Sequence, residues 1–517
     1  MKKSSFLPLI IFIFIFSVLI FNSFSVLGQQ VRILTYEDAI NIALRESYTV
    51  KSYQERKTAM QQSFNYYKAM FKPRIDFSIF TPSWSENVID VQRADNLPVY
   101  NSFGNMRFGS DLKFTYTIPT GGNFALSSRF YREDLKTVLA LQNFQQLQNR
   151  QAYSSLSLSF AQPIFTRNTL QENLNEAKYM YDRSSSEFTR RQMDIIYQVT
   201  EGFYSVYRAT REVEIAQEKL KNSEEAYRIA QLKGETGRIP EGDVLIAEVS
   251  VAQNRATLSE SKGNLERVKD TFKQLIGLSL DEDIQIITDL MYESFEIDLT
   301  KAIEEALRNR LEIYESELNI NLQKIKVDRA QRIREFSGNI SAYYDLTGIS
   351  TLQGGSTRSL FESSFDNFIE RPPNRGITFT LSYPIFDWGR GSARVQQEMS
   401  SLKESELSLE NTKTTIIRDV RDIVRSVAEA KNRLEIHEKN QQVAQRSYEI
   451  SRLRFENGDI TSQELGVEQE RLATTQINYL NAFISYQLAV ADLKRKTLWD
   501  FQNNRSYLKS DYLQEKE

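Results

Sequence analysis

A chain of 517 residues with no cysteine, a single histidine at His437 and a formal net charge of −3 excludes several classes of protein before any motif is sought. Without cysteine there is no disulfide framework, no thiolate metal site and no lipid carried on an N-terminal cysteine. One histidine makes a zinc site or histidine-based triad improbable, so no metal, cofactor or catalytic residue is expected, and the balanced charge lacks the basic footprint of a nucleic-acid binder.

Taken in chain order, Lys2 and Lys3 precede an apolar run from Phe6 to Leu27, with Val26 and Gly28 as small residues ahead of Gln29. This is the pattern of a secretory signal peptide over 1–28. The run is long enough to span a bilayer, so an uncleaved anchor is the alternative. Its removal takes away two positive charges and no acids, leaving a mature charge of about −5. No later stretch reads as a transmembrane helix. Contact of the mature chain with a membrane therefore calls for a closed β-barrel, because lipid tolerates no unpaired strand edge.

An internal repeat runs at a constant offset of 221, from about Pro163 to Leu278 and again from Pro384 to Trp499. It pairs Ile195 with Ile416, Val199 with Val420, Tyr227 with Tyr448, Gly237 with Gly458 and Ile239 with Ile460. A weaker upstream match at offset 263 pairs Ala39, Ala43 and Arg45 with Ala302, Ala306 and Arg308, which puts an extra 42 residues into the first half, between Arg45 and Pro163. The expected organisation is a first repeat over 29–288, a second over 289–500 and a polar tail over 501–517.

Each repeat reads as a helix, a segment of strand alternation, a very long helix, a Gly-containing turn and a second long helix. Val199, Phe203, Val206, Thr210 and Val213 recur in the 3,4 pattern of a coiled-coil seam, and Val244, Ala247, Val251, Asn254 and Leu258 continue it on the returning arm. The descending arms, roughly 167–232 and 388–455, would be on the order of 100 Å long at about 1.5 Å per residue. On helical pattern alone, an ordinary soluble coiled coil is the competing reading.

The strand segments argue against it. Ile75, Phe77 and Ile79 alternate with Asp76 and Ser78; Leu112, Phe114 and Tyr116 with Lys113 and Thr115; Leu156, Leu158 and Phe160 with Ser157 and Ser159. Ile340, Ala342, Tyr344 and Leu346 continue the pattern, as do Ile377, Phe379 and Leu381. Apolar on one side and polar on the other suits a barrel wall between lipid and water, and any half-buried antiparallel sheet as well. Too few strands are present to close an aqueous barrel, so several copies would have to supply them.

At this point the chain resembles the outer-membrane efflux protein (TolC-like) family over nearly all of its mature length. The resemblance rests on the strand ends Gln162-Pro163-Ile164-Phe165 and Tyr383-Pro384-Ile385-Phe386, on the upstream Ala-Leu-Arg segments, and on the turns spanning 231–246 and 452–467. It implies a mainly α fold with β: long antiparallel coiled-coil helical hairpins in two repeats, with amphipathic strands forming a trimeric 12-stranded β-barrel on an α-helical periplasmic tunnel. It further implies a non-enzymatic channel subunit in the outer-membrane lipid, a homotrimer that works with a periplasmic adaptor (membrane fusion) protein and an inner-membrane transporter as the exit duct of a tripartite efflux pump. The same duct serving type I protein secretion is an alternative, and a periplasmic coiled-coil scaffold without a pore is one of another class. One departure stands out: six strand candidates, where the family pattern has four, with an additional hairpin-like segment at about 108–131 around Pro119-Thr120-Gly121-Gly122.

Function in a duct resides in shape and field at a constriction. Asp243 and Glu464 open the returning helices, where the helix dipole favours an acid by about 0.3–1 kcal/mol. In a trimer they would also form acidic rings, with Glu248 or Glu468 as further candidates for the gate. Gly237 and Gly458 suit a positive φ at the reversal. Ile239, Val244, Ile460 and Leu465 are expected to staple the two arms together or to contact the adaptor.

Overall fold

The computed structural model describes residues 31–92, 98–139, 144–166, 168–287, 292, 295–352 and 356–507. The expected signal peptide, the boundary between repeats at 288/289 and residues 508–517 of the tail lie outside the described residues. In chain order the elements are β1 (Arg32–Leu34), α1 (Tyr36–Glu46), α2 (Tyr48–Ala69), β2 (Arg74–Gln92), β3 (Pro98–Thr117), β4 (Asn123–Leu139), β5 (Gln145–Ile164), α3 (Thr169–Glu235) and α4 (Glu241–Ile276). There follow β6 (Ile284–Ile286), α5 (Leu299–Asn309), α6 (Leu311–Gln331), β7 (Ser337–Leu352), α7 (Thr357–Glu370), β8 (Asn374–Ser382), α8 (Arg390–Asn457) and α9 (Ser462–Thr497), and the short antiparallel pair β9 (Trp499–Asp500) and β10 (Arg505–Ser506).

The chain divides into two compact units, each drawing on both repeats. One takes the residues up to Glu55, Glu187–Ile313 and those from Asn411 on; the other takes Arg56–Ser186 and Tyr314–Glu410.

In the first unit the expected seam is the core. Val199, Phe203 and Val206 of α3 are fully buried with Phe272 and Ile276 of α4, Ile40 of α1, Leu34 of β1 and Ile284 of β6. Phe203 meets Phe272 edge to face, centroids 6.4 Å apart, a geometry in which the positive edge of one ring approaches the negative face of the other. The weak upstream match now has a reason. Ala39 and Ala43 of α1, and Ala302 and Ala306 of α5, are all completely buried, small residues that let each short helix press closely on its neighbours. The second repeat repeats the theme with Ile416 and Val420 of α8, and with Leu434 of α8 against Phe483 of α9. β1 pairs in parallel with β6, joining the start of the chain to the segment that follows α4.

In the second unit β2, β3, β4, β5, β7 and β8 form one antiparallel sheet in that order. The registers put Ile75 opposite Phe114, Phe114 opposite Leu126, Leu126 opposite Leu158 and Leu158 opposite Tyr344. The predicted apolar alternations thus fall on a single face. The other face is polar: Arg129 bonds Asp111 at 2.8 Å, Arg107 bonds Glu133 at 2.8 Å, and Tyr131 stacks on Tyr153 with centroids 4.4 Å apart.

All six strand candidates are strands, and four of them, β2, β5, β7 and β8, adjoin helices as the family pattern implies. The 108–131 segment is the inner part of a further hairpin, β3–β4, lodged between β2 and β5. The strands run longer than their alternation, β2 for 19 residues, and the β2–β3 register slips between Phe80 and Ser83, beyond which the pairing continues to Gln92 and Pro98. Among the described residues no helix is long and apolar enough to cross a membrane.

Candidate functional site at the helix tips

The two long helices end alike. At the end of α3 the chain turns through Gly237, φ +69°, whose N–H donates to the Gly234 carbonyl at 2.9 Å while that of Arg238 reaches Lys233 O at 2.8 Å. At the end of α8 it turns through Gly458, φ +89°, with Gly458 N–H on Phe455 O at 3.0 Å and Asp459 N–H on Arg454 O at 2.9 Å. Both are helix stops closed by a left-handed glycine, which satisfies carbonyls the helix leaves orphaned.

The restarts differ. α9 opens with a complete capping box: Thr461 Oγ1 accepts from Glu464 N–H at 3.2 Å, and the Glu464 carboxylate accepts from Thr461 N–H at 2.8 Å. These bonds, the one from the Thr461 backbone foremost, hold Glu464 below the usual carboxylate range and so anionic at neutral pH. α4 opens on Pro240 with no side-chain cap, and Asp243 N–H bonds the Pro240 carbonyl at 3.0 Å. Asp243 is half-buried and Glu248 exposed. Glu468 is engaged locally, accepting from Ser447 Oγ at 2.9 Å and pairing with Arg471 at 3.0 Å.

The apolar candidates separate by burial. Leu465 is buried with Tyr448, Phe455 and Leu472, and Ile460 packs on the same cluster together with Ala226 and Ile229 of α3. Ile239 and Val244 are half-buried. Val244 lies where a side chain at Gly234 would come within 2.9 Å of its Cγ2, so the glycine lets the returning arm close on the helix end.

The structure also brings together residues that no motif marked. The Lys233 ammonium, at the end of α3, donates to the carbonyl of Phe455 near the end of α8 and lies 4.9 Å from the centre of its ring. Lys219 pairs with Glu470, and the Gln469 amide donates to the Lys219 carbonyl at 2.6 Å. The tips of the two repeats are therefore laced side by side. Leu245 and Val249 of α4 and Leu453 of α8 stay exposed near the tips as an unclaimed apolar surface. A lysine bonded to a main-chain carbonyl leaves no spacing signature, which is why Lys233 was not legible. Among the described residues no group of three or more histidine or acidic side chains could hold a metal ion.

Comparisons with known proteins bear on the fold. The family model for the outer membrane efflux protein matches residues 39–278 and 302–497. No curated protein matches the chain in sequence. Among solved structures, the CmeC outer membrane channel of Campylobacter jejuni superimposes with a TM-score of 0.63 at 15% identity, over 89% of this chain and 85% of that one. VceC of Vibrio cholerae gives 0.61 at 14% identity, over 89% and 95%. The open state of the MtrE outer membrane channel of Neisseria gonorrhoeae gives 0.62 at 12% identity, over 89% and 88%. These likenesses carry the fold, and the family match covers both repeats; the chain belongs to the outer membrane efflux protein family, whose members lie in the outer membrane and extend into the periplasm.

Proposed function

We propose that this protein is the exit duct of a tripartite efflux system: a homotrimer that takes small molecules from an inner-membrane transporter through a periplasmic adaptor and passes them across the outer membrane without catalysis. The observation that carries the reading is the sheet. One face is apolar from Ile75 on β2 to Ile377 on β8, the other holds ion pairs, and both edge strands lack a partner among the described residues. Such a surface is stable in lipid only when the edges are closed by other copies. The periplasmic gate is assigned to the tips, where Asp243 and Glu464, repeated threefold, would favour cations, and where Glu248 is the further acid still exposed to solvent. Gly237, Gly458, Ile239, Val244, Ile460 and Leu465 shape the surface offered to the adaptor.

The test is single-channel recording of the detergent-extracted protein in a planar bilayer, before and after Asp243→Asn combined with Glu464→Gln. The glutamine keeps the capping box, so folding at the tip is spared. Cation-favouring steps whose selectivity falls in the variant are expected. Current with unchanged selectivity would remove the acidic gate and leave the duct, whereas a folded protein that needs no detergent and passes no current would be a scaffold.

A further inference from the structure

The resemblance carries four strands per subunit, but this chain brings six to one sheet. We infer that three copies close a wall of eighteen strands, with the β3–β4 hairpin inside the wall and β8 of each copy paired to β2 of the next. The inference rests on the trimeric reading above and adds to it the size and register of the wall.

The hairpin is built in. β3 pairs with β2, and β4 with β5, along almost their whole lengths. Its turn is tied to the junction of strand and helix, where Asn168 donates to Pro119 O at 2.7 Å and Gln162 donates to Thr120 O at 3.2 Å. Leu112 and Phe114 on β3, and Phe124 and Leu126 on β4, continue the apolar face without a break. A hairpin lying outside the wall would need no such face.

The edges fit each other. Eight of the nine residues of β8 are exposed. With six strands alternating in direction, β8 of one copy runs antiparallel to β2 of the next. The registers run level from Arg74 through Thr115, Ala125, Ser159 and Tyr343 to Gly376, and β8 continues six residues beyond Gly376 to Ser382. Aligning that end with Arg74 of the next copy, both being where strand meets helical segment, sets a stagger of six residues per copy. The stagger is even, so every side chain keeps its face; an odd value would turn the apolar face inward. It brings Ile75, Phe77 and Ile79 opposite Leu381, Phe379 and Ile377, all exposed in the single chain. Equal strand number and total stagger correspond, at about 3.3 Å per residue and about 4.8 Å between strands, to a tilt of about 35°, within the range of closed barrels. The nine residues of β8 then reach as far as Pro82, which has no N–H to donate, and the β2–β3 register slips between Phe80 and Ser83, where the seam would end.

Cysteine pairs test this in a chain that has none of its own. Asp76→Cys with Thr380→Cys, and separately Ser78→Cys with Thr378→Cys, sit opposite one another on the polar face across the proposed seam, at the separation a disulfide requires. Oxidation of the full-length protein in membranes is expected to give a covalent trimer on a non-reducing gel with either pair. In parallel, Leu112→Cys, Lys113→Cys, Leu126→Cys and Ser127→Cys, each carrying an environment-sensitive fluorophore, are placed in phosphatidylcholine vesicles with a nitroxide on the acyl chain. Fluorescence is expected to be lost at 112 and 126 and retained at 113 and 127. A covalent trimer with no quenching at 112 and 126 would put the hairpin outside the wall and overturn the eighteen strands while leaving the trimer. Folded protein that is quenched at 112 and 126 yet cross-links with neither pair would overturn the stagger of six, and a single-chain mass in detergent would overturn the trimeric reading itself.

Discussion

Lys233 and Phe455 occupy equivalent ends of the two long helices, one position apart in the repeat, and it is the lysine of the first that caps the carbonyl and covers the ring of the second. The contact joins the tips across 222 residues of chain. It ties the two hairpins together at the point where the gate is assigned.

Lys233→Met keeps the aliphatic stem and removes both the charged donor and the cation over the ring. The expected cost is about 1–2 kcal/mol, from one charge-assisted hydrogen bond and one half-exposed cation–π contact. The tips should become more open to protease, and single-channel current noisier, with the mean secondary structure unchanged. Identical cleavage rates for the variant and the parent would show that the lacing does not hold the tips.

Leu465 and Ile239 came from one expectation, and the structure separates them, since Leu465 is buried against Tyr448 and Phe455 while Ile239 is half-buried. Leu465→Ala should cost about 2–4 kcal/mol by leaving a cavity, and Ile239→Ala clearly less. Thermal unfolding of the detergent-solubilised protein measures the difference. A larger fall in Tm for Ile239→Ala would place the apolar anchor of the tips on the other hairpin.

How much of this was legible in the sequence depends on periodicity. The offset of 221 located the long helices to within a few residues, because Val199 and Val420 or Gly237 and Gly458 do the same work in each copy. Alternation located the strands, since Ile340, Ala342 and Tyr344 must share a face. Strand order left no such trace: nothing periodic says that β3 and β4 lie between β2 and β5, which is set by the backbone ladders that β3 makes with β2 and β4 with β5. Helix α7 also went unread. It lies within the interruption between two strands, and its buried side is Leu360 and Ser364, too narrow a stripe to stand out.

That helix packs by backbone approach. Ser364 is fully buried, with its hydroxyl 3.0 Å from both Ser154 Oγ and the Gly348 carbonyl. A Cβ at Gly348 would lie 1.9 Å from Ser364 O, so β7 must carry glycine for α7 to lie against the sheet. Gly348→Ala is expected to detach the helix and let its backbone unfold, so that trypsin cuts after Arg358, whose side chain is already exposed, whereas Ser364→Ala should cost only about 1–2 kcal/mol and leave the helical backbone protected. Equal protection in both would mean that the helix is held elsewhere.

In the first unit a pair of charges sets a pH dependence. Burial alone would raise the carboxyl pKa of Glu312, but Arg310, bonded at 2.6 Å, outweighs it and holds the group below its ordinary value. A carboxyl whose folded pKa is depressed releases its proton more readily in the folded chain than in the unfolded one. Its contribution is therefore complete above the unfolded value, about 4.3, and is lost as pH falls through the folded value. Glu312→Gln should cost about 1–2 kcal/mol at neutral pH, since the Arg310 guanidinium, only 16% exposed, is left with Asp419, 3.9 Å away, as its charged partner. The gap in Tm between this variant and the parent should then hold from pH 7 to about 5 and narrow as the pH is lowered further, through about 4.3 towards 3. Arg310→Met makes the complementary case, leaving Glu312 partly buried without its strongest partner, so acidification should relieve part of the damage. A gap that stays constant across that range in both variants would mean that the pair is structural packing and does not titrate with folding.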